Sequence, residues 1–124
     1  MNLGFRPFRI ALLAIAVAAG PLIANAVPHF PGADAKNHVG ENVGISGVVT
    51  EVHESSQGNL MLNFGAAYPH QDFTAVIFAA DRAKFAQAAG LQGKTITVWG
   101  KVTMYRSHPE IVLKDASQLK VGPP

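Results

Sequence analysis

The residues of this chain that could do chemistry are stackers and cations rather than nucleophiles. Tyr68, Phe78, Trp99 and Tyr105 are aromatic, Lys101 lies two residues from Trp99, and Arg106 follows Tyr105 directly. Bases stack on aromatic faces and phosphates need positive charge, so this mixture suits single-stranded nucleic acid. Met61 and Asn63 join the set as outward positions of a short strand that would lie beside Tyr68. Each aromatic also has a plainer reading. Tyr68-Pro69 would pack its own loop, and Phe78 would be core. Trp99 is either an exposed platform or lies beneath the N-terminal segment, under Phe30 or Val39. The stretch 60–80 contains no Lys or Arg, so any cation on that face must come from elsewhere in the chain.

Covalent and metal chemistry find little support. No Gly-x-Ser-x-Gly nucleophile turn and no phosphate-cradling glycine loop occurs. A metal-dependent nuclease needs clustered carboxylates and several arginines, yet beyond residue 26 the only arginines are Arg82 and Arg106. Glu51 and Glu54 flank His53 and read as a solvated strand end. The five histidines show no i+2 or i+4 pair, and no Cys is present to complete a zinc set. His53, His70 and His108 fall at strand ends and could meet on one rim, as a metal site or as solvated loop residues. His38 would cap or pack the turn before the first long strand. The expectation is a non-enzymatic protein without a cofactor.

Residues 1–26 read as a cleaved secretory signal. Arg6 and Arg9 form a basic start, residues 10–19 are apolar, Gly20-Pro21 breaks the run, and Ala24 and Ala26 are the small residues before the cut. A ten-residue apolar run is short for a bilayer span. The mature form would begin at Val27, in the periplasm or outside the cell, with no further membrane span. The whole chain has 10 basic and 8 acidic residues. Losing Arg6 and Arg9 leaves eight of each, so the mature charge is zero. A neutral domain lacks the global field that drives non-specific nucleic-acid binding. Without Cys, the fold must rest on its core.

The elements that must position these residues are strands. Val43, Ile45, Gly47 and Val49 alternate with other residues, as do Ile96, Val98, Gly100 and Val102, 53 positions later. Such alternation is the period of a strand with one buried face. Gly47 and Gly100 would mark bends of a closed barrel. Strands are expected at 42–54, 60–64, 72–79, 94–105 and 110–114, with a closing edge within 117–121. Residues 27–41 form an extended lead-in with one turn at 34–39, and 122–124 a tail. Asp81 would cap a helix over 82–89, with Phe85, Ala88 and Ala89 as its apolar stripe. The order β-β-β-α-β-β suits a five-stranded OB-fold barrel, all-β with one short helix.

Several segments together resemble a family. Ala35-Lys36-Asn37-His38-Val39-Gly40-Glu41 stands before the first strand, with Leu62-Asn63-Phe64-Gly65, Tyr68-Pro69-His70-Gln71-Asp72-Phe73-Thr74 and Val76-Ile77-Phe78 after it. Gly93-Lys94, Gly100-Lys101-Val102, Pro109-Glu110-Ile111 and Asp115-Ala116-Ser117-Gln118-Leu119 follow. This pattern is similar to small secreted bacterial OB-fold domains related to nucleic-acid-binding OB modules. The resemblance implies a binding module for single-stranded nucleic acid or another extended polymer. The residues expected to contact it are Met61, Asn63, Tyr68, Phe78, Trp99, Lys101, Tyr105 and Arg106. The other reading is a periplasmic protein-interaction or envelope-stress accessory domain, touching its partner through Trp99 and the edge of the 72–79 strand.

The signal reading has a direct check. Mass spectrometry of the exported protein is expected to show a chain beginning at Val27, and an intact Met1 would overturn it.

Overall fold

The computed structural model of the protein describes residues 27–124. The expected signal at 1–26 lies outside them. Eight strands form: β1 (His29–Pro31), β2 (Asn42–Glu54), β3 (Leu60–Phe64), β4 (Phe73–Ile77), β5 (Thr95–Lys101), β6 (Thr103–Tyr105), β7 (His108–Val112) and β8 (Leu119–Val121). They follow the order β6-β7-β4-β3-β2-β5-β8, with β1 added in parallel to β2. The five expected strands are present. The 94–105 strand is interrupted at Val102, whose N–H and C=O are taken by Glu41 and Gly40 of the lead-in.

β2 organises the sheet because it belongs to both halves. Residues Asn42 to Val48 pair antiparallel with β5, and Val49 to Glu54 pair antiparallel with β3. The register shifts between Val49 and Glu51. A bulge of this kind inserts one residue and exchanges the two faces of the strand beyond it. Before it, Val43, Ile45 and Val49 point into the core. After it, Val52 packs on the core, while Glu51 and His53 take the outer face beside Asn63 and Met61. Gly47 is not the bend. It pairs regularly opposite Ile96, and its missing side chain clears Phe64, whose Cδ2 would stand 3.0 Å from a Cβ there.

The core is the inner face of β2, β3, β4, β5 and β7. Ile45, Leu62, Phe64, Phe73, Ile77, Ile96, Val98 and Ile111 are all buried, with Phe64 and Phe73 edge-to-face at 5.0 Å. The expected helix over 82–89 is replaced by 3₁₀ segments at Ala79–Phe85 and Ala88–Gly90. The buried residues explain the substitution. Phe85, Ala88 and Leu91 recur every third position and Ala89 is exposed, which is the three-residue period of a 3₁₀ helix. Asp81 caps nothing here; its carboxylate takes Lys84 Nζ at 3.0 Å. Further 3₁₀ turns span Gly32–Asn37 and Ala116–Gln118. Among the described residues, no helix is long and apolar enough to cross a membrane.

The barrel is not closed by a backbone ladder. β5 and β7 approach each other, but their strands do not pair. The approach is close at Gly100, where a Cβ would lie 2.7 Å from Ile111 Cγ2. A side chain spans the gap beside it. Gln118 Nε2 donates to the carbonyls of Trp99 in β5 (2.9 Å) and Val112 in β7 (3.2 Å). Its Oε1 accepts from the N–H groups of Lys114 and Asp115 at 2.7 and 2.9 Å. One amide therefore satisfies four backbone groups: a carbonyl on each facing strand and two N–H groups at the capped start of the 116–118 turn.

Gln118→Leu keeps the volume and removes all four bonds. We expect a loss of roughly 1–3 kcal/mol in urea unfolding, since each of these part-buried or exposed bonds is worth about 0.5–1.5 kcal/mol net. A midpoint equal to wild type would show that the clasp contributes nothing.

Candidate functional site

Outward residues of β3, β4 and β7 line a groove of about 560 Å³. Alternation decides which residues reach it. β3 supplies Met61 and Asn63, β4 Thr74 and Val76, and β7 His108 and Glu110, with His53 from the end of β2. Tyr68 and Gln71 come from the β3–β4 loop, and Phe78 from the end of β4. The β6–β7 hairpin adds Tyr105 and Arg106. Six of the eight expected residues thus share one concave face: Met61, Asn63, Tyr68, Phe78, Tyr105 and Arg106.

Trp99 and Lys101 are not among them. Both belong to β5, and Trp99 packs edge-on against His29 of β1, ring centres 5.9 Å apart. The covering residue is His29, since Phe30 stacks instead on His38 at 3.6 Å. Gly44 makes room for this, because a Cβ there would come within 2.5 Å of His29 and 2.9 Å of Trp99. Of the expected protein-contact surface, the β4 edge is absent. Trp99 is partly covered, and β4 has no free edge, being paired with β3 on one side and β7 on the other.

The rim is aromatic and exposed. Tyr68 is 59% exposed, Tyr105 57% and Phe78 40%. Two of the three rings carry a cation: Arg106 lies 5.2 Å from the centre of Tyr105, and Lys114 5.7 Å from that of Phe78. Cations at these distances are attracted by the ring quadrupole. The sequence offered no sign of Lys114, because it follows β7 and reaches Phe78 only through the parallel β4–β7 pairing. Arg106 is placed by an unusual turn. Tyr105 pairs with His108, and the two residues between them, Arg106 and Ser107, have φ of 50° and 69°. Hairpins of this length favour positive φ at both positions, normally from Asn or Gly. Holding Arg and Ser there costs backbone energy, and such strain collects at functional sites.

The floor is a directed polar chain. Asn63 is 1% exposed, and its Nδ2 donates to Glu51 Oε1 at 2.8 Å. The same oxygen accepts the Tyr68 backbone N–H at 2.9 Å. The Tyr68 N–H first, and Asn63 second, hold the Glu51 carboxyl below its usual range. Thr74 Oγ1 donates to Asn63 Oδ1 at 2.8 Å and accepts from Gln71 Nε2 at 3.2 Å. His108 Nδ1 lies 3.1 Å from the Gln71 carbonyl, which can only accept, so that nitrogen carries the hydrogen. Of the three rim histidines considered as ligands, His53 and His108 line the groove and His70 does not. No cluster of three or more metal-ligating side chains exists among the described residues.

Alternation along 108–112, polar His108 and Glu110 against buried Pro109 and Ile111, was the signal that could have found the β7 contribution. Glu110 is half-buried on the floor, and burial pushes its carboxyl above the usual range. The folded chain then holds this proton to higher pH than the unfolded chain. Stability falls as pH rises from the unfolded value towards the folded one. Glu110→Gln removes that penalty. We expect its unfolding midpoint to exceed wild type near about pH 7.5 and to match it near about pH 3, below the carboxylate range. Equal midpoints at both pH values would show that the carboxyl is not held above its usual range.

No protein-family model matches the sequence, and no curated protein does. Solved structures do match. A candidate aspartyl-tRNA synthetase from Leishmania major Friedlin aligns with TM-score 0.53 and 11% identity, over 78% of this chain and 21% of that one. The S. pombe Stn1–Ten1 complex aligns with TM-score 0.51 and 15% identity, over 67% of this chain and 59% of that one. The OBody AM1L10 bound to hen egg-white lysozyme aligns with TM-score 0.50 and 14% identity, over 71% and 85%. The chain thus spans less than two thirds of the first two. At such identities the likeness concerns the fold alone, which is mainly β and OB-like.

Proposed function

We propose that this protein is a non-enzymatic OB-like module that binds single-stranded nucleic acid, as one extended polymer, along the β3–β4–β7 groove. The observation that carries this reading is the rim: Tyr68, Phe78 and Tyr105 are exposed around a single groove, and two of them are paired with a cation. An extended strand needs successive stacking faces with charge between them. OB-like folds present their outer strand face and adjoining loops for this purpose. The composition of residues 1–26 assigns the module to the cell envelope, with the mature form beginning at Val27.

The expected binding is weak. Arg106 is the cation in the groove lining, Lys114 stands over Phe78 within 3.9 Å of Asp81, and the mature charge is zero. Few phosphates are neutralised, so the salt slope should be shallow for a nucleic-acid binder. For the protein partner considered as the other reading, Trp99 remains partly exposed beside His29, and β4 contributes no free edge.

Titration of a fluorescent single strand of about twelve nucleotides tests the assignment. We expect Tyr68→Ala and Tyr105→Ala each to cost about 1–3 kcal/mol of binding, and Arg106→Ala to weaken binding and flatten its salt dependence. Trp99→Ala and Lys101→Ala should leave affinity unchanged. No binding at about 50 mM salt would reject the nucleic-acid reading. Binding that ignores all three groove variants would reject the site.

A further inference from the structure

The polar chain on the groove floor has a fixed direction, and its open end is an acceptor. Glu51 sets the direction, because an ionised carboxylate only accepts. Asn63 must turn its amide N–H₂ to Glu51 and therefore offers Oδ1 to Thr74. The Thr74 hydroxyl spends its hydrogen on Asn63 and can only accept from Gln71. Gln71 must then face Thr74 with Nε2, which leaves Oε1 at the far end. That oxygen has no partner, and Gln71 is 7% exposed. Elsewhere an amide flip would remove the problem; here each link forbids it.

A second acceptor lines the same groove, on the other side of Thr74 in the chain of contacts. Glu110 is the register partner of Thr74 across the parallel β4–β7 pair, so their side chains adjoin on the groove face. A carboxyl keeps an accepting oxygen in either protonation state. We infer that the groove floor is a recognition site for a base edge with two adjacent N–H donors, which among the four bases means guanine, with Gln71 Oε1 as its specificity-determining acceptor. This deepens the nucleic-acid reading and rests on it.

The chemistry separates guanine from the others. Guanine offers N1–H and the N2 amino group side by side. Adenine and cytosine place a ring acceptor next to their amino group, and thymine places carbonyls on both sides of its N–H. A ring acceptor or carbonyl set against Gln71 Oε1 would be repelled, because an amide oxygen only accepts. Water does not reach Oε1 in the unliganded groove. Gln71 lines the groove with Tyr68 and Tyr105, so a base held on those rings lies over it. A donor delivered there meets an acceptor that water has not already satisfied, and sites of that kind reject analogues lacking the donor.

The test compares oligothymidylates carrying one central deoxyguanosine, deoxyinosine or deoxyadenosine, titrated against the full chain. Inosine has guanine's ring and lacks only the N2 amino group, so stacking is held constant. We expect the guanosine strand to bind about tenfold more tightly than the inosine strand, the scale of one well-made base-edge contact. Gln71→Leu should reduce that ratio to within about twofold, whatever its effect on plain oligothymidylate. Thr74→Val, which frees the Gln71 amide to turn, should lower the ratio in the same way and guards against misfolding of the first variant. Equal binding of guanosine and inosine strands by the wild type would overturn the inference and leave the nucleic-acid reading standing. A ratio that survives both variants would overturn it as well. Absence of binding to every strand would overturn both readings together.

Discussion

The register shift in β2 between Val49 and Glu51 is the constraint on which core and groove both depend. One strand of thirteen residues serves two halves of the sheet. Its first half turns alternate residues inward against β5. Continued without interruption, the same parity would drive Glu51 and His53 into the core. Burying an unpaired carboxylate there would cost several kcal/mol. The inserted residue exchanges the faces, so Val52 joins the core and Glu51 reaches Asn63 on the outside. The fold and the polar floor are thus consequences of one backbone irregularity.

A curled sheet must then deal with its two edges. Here β5 and β7 meet without pairing, and Gln118 bridges their carbonyls from a short capped turn. The arrangement tolerates Gly100 packed directly against Ile111, where a ladder would need a regular strand spacing. β1 covers the opposite region by adding to β2 and laying His29 against Trp99. Both devices lie away from the groove. The face that carries the exposed aromatics is free of structural duty except through its buried floor.

The long strands were legible in the sequence because alternation is a local signal. The bounds of β2 and β3 follow directly from it, and Met61, Asn63, Tyr68, Phe78, Tyr105 and Arg106 were placed on one face by strand order and loop position. What was not legible depended on contacts distant in the chain. Lys114 meets Phe78 only through a parallel pairing, and His29 meets Trp99 only because β1 docks on β2. The helix expected over 82–89 was lost to a three-residue spacing that is visible only once Leu91, beyond its expected end, is counted. Gly47 was misread for a related reason. A glycine in a strand marks either a bend or a close neighbour, and Phe64 lies seventeen residues away.

On the nucleic-acid reading proposed for the groove, rim and floor would divide the work of recognition unequally. Stacking on Tyr68, Phe78 and Tyr105 accepts any base, since every base has a π-face. Arg106 and Lys114 accept any phosphate. Neither can distinguish one sequence from another. Discrimination has to come from buried groups whose hydrogen-bonding direction cannot adjust to the ligand, and the floor is where such groups occur. The Glu51–Asn63–Thr74–Gln71 chain cannot reverse while Glu51 is ionised, and the Tyr68 N–H, bonding the same oxygen, favours that form. The loop that carries a stacking ring therefore also sets the polarity of the floor beneath it. Rim and floor are thereby joined through a single carboxylate oxygen, Glu51 Oε1.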